Sequence, residues 1–230
     1  MSEARIYAQQ QNVGRTSEGN YVGLRGTRDG TLYTAPWEVA LVLEGNCYAI
    51  TDGEATAPVA QVDHAATIDI AKPSVLVTVP NLAVIMPMSL YIAIEDTIVA
   101  GLFDIHASAS DVYDNAVTNT NDLTIQNIRT DRPNSSRCTA YGKVTAGGTT
   151  AYTGNSYDFW NVSGGALIDN AVAAAGGESG FVFKWNRRVS GVAPIIVGEG
   201  NLSIYCATST DANTTFISAA WVELPENAIS

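Results

Sequence analysis

The sequence predicts an all-β fold, and three observations carry that expectation. Residues 193–226, APIIVGEGNLSIYCATSTDANTTFISAAWVELPE, read as three strands in succession. Leu202, Ile204 and Cys206 alternate with Ser203, Tyr205 and Ala207, and Phe216, Ser218, Ala220, Val222 and Leu224 alternate with Ile217, Ala219, Trp221 and Glu223. Successive side chains point to opposite faces of a strand, so this period of two describes a sheet with one buried face. The second observation is that similar short alternations, punctuated by Gly, Pro, Asn and Asp, recur through most of the chain. The third is size: 230 residues make one large domain that buries roughly 70–75% of its unfolded surface. No disulfide or metal is then needed for folding.

Taken in order, residues 1–35 hold Gly14, Gly19, Gly23, Gly26 and Gly30 and read as an extended N-terminal arm. From Pro36 the pattern changes, and residues 36–230 read as one domain. Residues 37–50 place Val39, Leu41 and Leu43 on one face of a strand that turns at Asp52-Gly53. A polar loop follows, then Ile68 and Ile70, then a strand with Val75, Val77 and Val79 on one face. Residues 84–95 form a long strand with Leu90, Ile92 and Ile94 inward. Pro87 interrupts it, and since proline cannot donate to the ladder, a bulge or a sheet crossing is expected there.

Residues 98–108 make the next strand, 111–121 a polar loop and 123–128 a short strand. Residues 131–165 supply one or two strands and a long connection. Residues 166–175, ended by Gly176-Gly177, are the only segment predicted to be helical. Phe181, Phe183 and Trp185 open a strand before the three-strand finish. Strands of such unequal length, with long loops between some of them, fit a jelly-roll β-sandwich better than a meander.

Composition narrows the function. Charged residues are 15% of the chain, against roughly 25% in ordinary soluble proteins. Thr, Ser, Asn, Ala and Gly occupy the surface instead, and such a surface is cheap to desolvate when another subunit docks. The net charge of −11 argues against a duplex nucleic-acid partner. Residues 1–30 carry Arg5, Arg15, Arg25 and Arg28 against Glu3, Glu18 and Asp29, a small positive excess that suits contact with an acidic neighbouring subunit. No apolar run approaches the ~20 residues of a membrane helix. The start, MSEARIYAQQQNVG, lacks the basic and apolar stretches of a signal peptide, so a reducing cytosol is expected. Cys47, Cys138 and Cys206 show neither disulfide nor zinc spacing, and Cys206 is expected to be a buried thiol.

No cofactor or metal site is expected. His64 and His106 are the only histidines and read as surface or edge residues; a pair completed by Asp63 or Asp104 lacks the His-rich cluster of a metal-binding jelly roll. GESGF at 177–181 is not a nucleophile elbow, because its last glycine is missing and a strand follows. Glu44, Glu95, Asp104, Asp158 and Glu223 are the acids from which a glycosidase pair would be drawn, and nothing in their spacing selects two of them. Tyr152, Tyr157, Phe159 and Trp160, with Asn155 and Asp158, form the best local candidate for stacking on a sugar. The competing reading has Phe159 and Trp160 cap the open end of the sandwich.

LVLEGNCYAI (41–50), PSVLVTVPNLAVIMPMSLYIAIED (73–96), RTDRPNSSRCTAYGKVTAGG (129–148) and PIIVGEGNLSIYCATSTDANTTFISAAWVELP (194–225) together resemble the jelly-roll virion proteins of tailed bacteriophages, especially aquatic ones. The resemblance implies a structural role without catalysis. A homotrimeric decoration (cement) protein on the capsid exterior, partnered by the major capsid protein or other virion proteins, is the first form of that role. A fibre or spike adhesin that binds host-surface carbohydrate is the second. It transfers no functional residues, because such proteins work through broad surfaces.

Overall fold

The computed structural model describes residues 8–9, 24–25, 36–54, 57–62, 64, 68–97, 101–112, 117–131, 134–146, 155–166, 181–208 and 213–228. The chain forms two compact units, Met1–Glu44 and Gly45–Ser230. In the first, β1 (Ala8–Gln9) pairs in parallel with β2 (Leu24–Arg25), and α1 spans Trp37–Glu44.

Helix α1 corrects the strand expected over residues 37–50. Only Cys47–Asp52 of that stretch is a strand, β3. The alternation of Val39, Leu41 and Leu43 was misleading, because Glu38, Ala40, Leu41, Leu43 and Glu44 are all good helix formers. The Pro36 carbonyl accepts the first helical bond from Ala40 N at 3.2 Å. Gly45, at φ +78°, ends the helix in a left-handed conformation that costs glycine little.

The second unit is built from two sheets. The first runs β11 (Ser156–Ala166), β7 (Gly101–Ser110), β14 (Gly200–Thr208), β5 (Val75–Val79), β10 (Thr139–Ala146), β8 (Thr118–Leu123). The second runs β12 (Phe181–Asn186), β6 (Ala83–Thr97), β15 (Asn213–Pro225), β3, β9 (Gln126–Asn127). Two short strands complete it: β13 (Ile196–Val197) also pairs with β6, and β4 (Val59–Ala60) with β15. Every pairing in both sheets is antiparallel. The protein is therefore an all-β sandwich, as the alternation predicted.

The two sheets share one core. Val75, Val77, Val79, Phe103, Ile105, Leu202, Ile204 and Cys206 enter from the first, and Ile50, Ile85, Leu90, Ile92, Ile94, Ile217, Ala219 and Trp221 from the second. Leu90, Ile92, Ile94 and Cys206 face inward as expected. At Pro87 the register slips: Trp221 opposes Pro87 while Ala220 opposes Ser89, leaving Met88 as the extra residue of a bulge. The missing proline N–H is the physical reason, and the strand continues through it.

Other boundaries differ from expectation. β8 begins inside the polar stretch 111–121, and 123–128 divides between the end of β8 and β9. The helix expected over residues 166–175 begins at a residue that closes β11, and the rest of it lies outside the described residues. Helices occur where none was expected: α1 and a short α2 (Arg187–Ser190).

The expectation of one buried face per strand fails in the middle of the first sheet. Asn201, Ser203 and Tyr205 on the outer face of β14 are as buried as Leu202 and Ile204 on the inner one. Part of that cover is the loop between β4 and β5. Tyr205 Oη donates to the Ile70 carbonyl at 2.9 Å, and the His64 ring lies edge-on to Tyr205 at 6.3 Å. Both histidines are consequently buried, which corrects their reading as surface residues. His64 Nδ1 accepts from Asp69 N at 3.1 Å, and His106 Nε2 lies 3.1 Å from Asp158 Oδ1.

Candidate interaction surfaces

The aromatic cluster proposed from sequence does not act as one surface. A bulge in β11 between Asp158 and Trp160 adds Phe159 to the strand, so Phe159 and Trp160 both turn toward the core. Phe159 packs edge-to-face on Trp185 at 4.9 Å. Tyr157 stays 54% exposed. Tyr152 lies outside the described residues, as do Arg5, Arg15 and Arg28; Arg25 is described only through its backbone in β2.

Tyr157 borders a groove of about 300 Å³ whose other walls are Ala109–Asp111, Asn155 and Pro194–Val197. Its polar rim is held by two bonds: Asn155 Nδ2 donates to Asp111 Oδ2 at 3.0 Å, and Asp111 N to the Asn155 carbonyl at 3.1 Å. Ile196, only 3% exposed, closes the floor. An aromatic face beside an amide and a carboxylate is chemistry that suits a sugar ring. Sequence reasoning found Tyr157 and Asn155 but not Asp111 or β13, which come from distant parts of the chain.

Of the acids weighed for a glycosidase pair, Asp104, Asp158 and Glu223 are dispersed over different strands, β7, β11 and β15. Asp104 accepts from Ser163 Oγ, and Asp158 faces His106. Asp104 opposes Ser163 and Asp158 opposes Ser108, so they sit four residues apart along β7. At about 3.3 Å per residue that is ~13 Å, too far for such a pair. No cluster of three or more His, Cys, Asp or Glu able to hold a metal occurs among the described residues. The cysteines are buried thiols. Burial pushes Cys47 up to about 11, and burial together with the Glu223 charge raises Cys138, so neither is a thiolate at neutral pH.

Two carboxylates are buried at the ends of the sandwich. Glu223 accepts from Ser136 Oγ at 2.6 Å and Arg137 N at 2.8 Å, tying β15 to the segment before β10. Asp52, at the end of β3, is 1% exposed. It accepts long bonds from Gln61 Nε2 and Asn121 Nδ2, both at 3.4 Å, and a Cβ on Gly142 would stand 3.1 Å from its carboxylate. Gly142 thus makes the room that lets a charge sit between the sheets.

Burial raises the Asp52 carboxyl above its ordinary 3.8, against the lowering effect of the two amides and Lys143. The native state therefore holds this proton more tightly than the unfolded chain. Stability from this group declines as pH rises from about 3.8 to the raised native value, then levels off. Urea midpoints of wild type and Asp52→Asn are expected to diverge across that window, with the wild type losing ground. A constant gap from pH 3 to 8 would contradict this.

The remaining surface of note is the edge of the second sheet formed by residues 181–198. It exposes Phe181, Val182, Val189, Val192, Ile195 and Val197. It also carries Lys184, Arg187 and Arg188 without one Asp or Glu, in a chain of net charge −11. Composition alone did not expose this segment, because its apolar residues read as ordinary strand.

No family model, no curated protein and no solved structure matches this chain.

Proposed function

We propose that the chain is a jelly-roll structural protein of a phage virion, a decoration (cement) protein that stabilises a shell by packing between subunits. The observation that carries this reading is the strand order. β3–β15, β5–β14, β6–β12 and β7–β11 pair as nested hairpins. Across each sheet the order is β3-β15-β6-β12 and β5-β14-β7-β11. That order supports reading the two sheets as one long hairpin rolled up in the manner of the jelly roll of capsid and lectin domains. β8, β9 and β10 are insertions between β7 and β11. The low charge content, the small positive excess of residues 1–30 and the resemblance over residues 41–225 supply the virion part of the reading.

A trimer that touches several shell subunits gains from effective concentration even when each contact is weak. The working site is then the particle surface, the partners are the major capsid protein or other virion proteins, and no cofactor is involved. Mass spectrometry of purified particles is expected to find the chain in high copy number, and deletion of residues 1–35 to abolish its binding to particles lacking it. Absence from purified particles would end the reading.

The groove at Tyr157 supports a second reading, a head or tail adhesin for host-surface carbohydrate. Tyr157→Ala would then abolish glycan-array binding while Trp160→Ala, a core change, would act only through stability. An array without hits removes this reading and leaves the first intact.

A further inference from the structure

We infer that the edge formed by residues 181–198 is the surface through which one copy of this chain binds the acidic body of a second. Local structure holds this edge rigidly. Trp185, 3% exposed, anchors the end of β12. The Asn186 side chain then caps α2 by accepting from Arg188 N at 2.9 Å. Gly191, at φ +87°, donates its N–H to the Arg187 carbonyl at 3.0 Å and reverses the chain. No atom lies within 4 Å of where its Cβ would be. Ile196 re-anchors the segment, buried and paired with Ile85 of β6.

Between these two anchors the larger apolar side chains stand outward. Val189 is 88% exposed, Val192 73% and Ile195 58%. Isolated exposed apolar residues are normal, but a contiguous set on a capped, anchored segment marks an interaction site. Because the segment is already ordered, binding costs little conformational entropy.

Charge identifies the occupant. Lys184, Arg187 and Arg188 are three of the chain's twelve basic residues, in a run with no acid. The complementary surface is an acidic one, and the opposite side of the molecule presents it: Glu54, Asp122 and Asp131 are exposed on or beside β3, β8 and β9, away from this edge. The basic edge of one copy and the acidic body of another are different surfaces, so the contact is heterologous and closes into a ring when the rotation permits. Strand addition is not the mode, since Lys184 lies over the Tyr91 ring at 5.4 Å on the terminal strand β12, and an edge lysine opposes pairing.

This inference rests on the proposed structural role only for the oligomer being the working form, and its test uses the isolated full chain. Sedimentation velocity from 1 to 100 μM is expected to find a concentration-dependent oligomer. Val189→Asp combined with Val192→Asp should weaken it at least tenfold, and Arg187→Glu with Arg188→Glu should weaken it most at low salt. Ile128→Asp, an exposed position beside β9 on the opposite edge of the same sheet, should not weaken it. All of these side chains but the half-buried Arg187 are exposed, and unfolding midpoints check that each variant is native. A monomeric wild type, or a Val189/Val192 variant that assembles as the wild type does, overturns the inference. An oligomer that assembles through this edge but is missing from particles upholds it while removing the virion role.

Discussion

Replacing Trp221 with alanine is expected to destabilise the protein by about 3–5 kcal/mol, the usual range for emptying a large aromatic site in a core. Trp221 is fully buried on β15, opposite Tyr48 on one side and the Pro87 bulge on the other. It therefore fills the place where two register-setting features meet, and the rigid strands around it leave little room to collapse into the void. Its Nε1 has no hydrogen-bond partner among the described residues. Trp221→Phe, which keeps most of the ring and removes that donor, should cost far less, under about 1.5 kcal/mol. Equilibrium urea unfolding checks both: the midpoint should fall steeply for alanine and slightly for phenylalanine, with the slope unchanged. An alanine variant within 1 kcal/mol of wild type would mean that the packing described around this residue is wrong.

Glu223→Ala is expected to be the next most damaging change, at roughly 2–4 kcal/mol, because it strands two donors and not one apolar group. Ser136 Oγ and Arg137 N both donate to this carboxylate, and Glu223 N donates to the Asn46 carbonyl at 2.8 Å. The backbone N–H of Arg137 cannot rotate away, whereas the serine hydroxyl can seek another acceptor. Glu223→Gln keeps one acceptor oxygen and should lose about half as much. The loss should be local as well as global, with the 134–138 segment becoming the first site of proteolytic cleavage. Equal stability of the alanine and glutamine variants would show that the carboxylate is not what fastens this segment.

How legible these features were depends on the distance over which each is decided. The inward faces of β6 and β14 were readable from Leu90, Ile92, Ile94 and Cys206, because strand alternation is written within five residues. The Pro87 bulge was readable for the same reason, since a missing donor perturbs any ladder. Helix α1 was misread because Val39, Leu41 and Leu43 satisfy a period of two while their neighbours favour a helix. Tyr157 and Asn155 were found as candidates, but the groove needed Asp111 and β13. The paired aromatics were separated from it by a bulge in β11 that alternation does not announce.

The sequence by itself determined that this chain is all-β, where β5, β6 and β12 begin, and that its surface carries little charge. These follow from side-chain type and local period, which act whatever the fold. Tertiary structure decided that β14 lies in the middle of a sheet with both faces covered, and that β12 ends one. It also decided that Glu223 meets Ser136 and that residues 181–198 stand exposed. Each of these depends on pairing between segments far apart in the sequence, or on what lands above a sheet, and side chains on a strand carry no record of which neighbour will arrive.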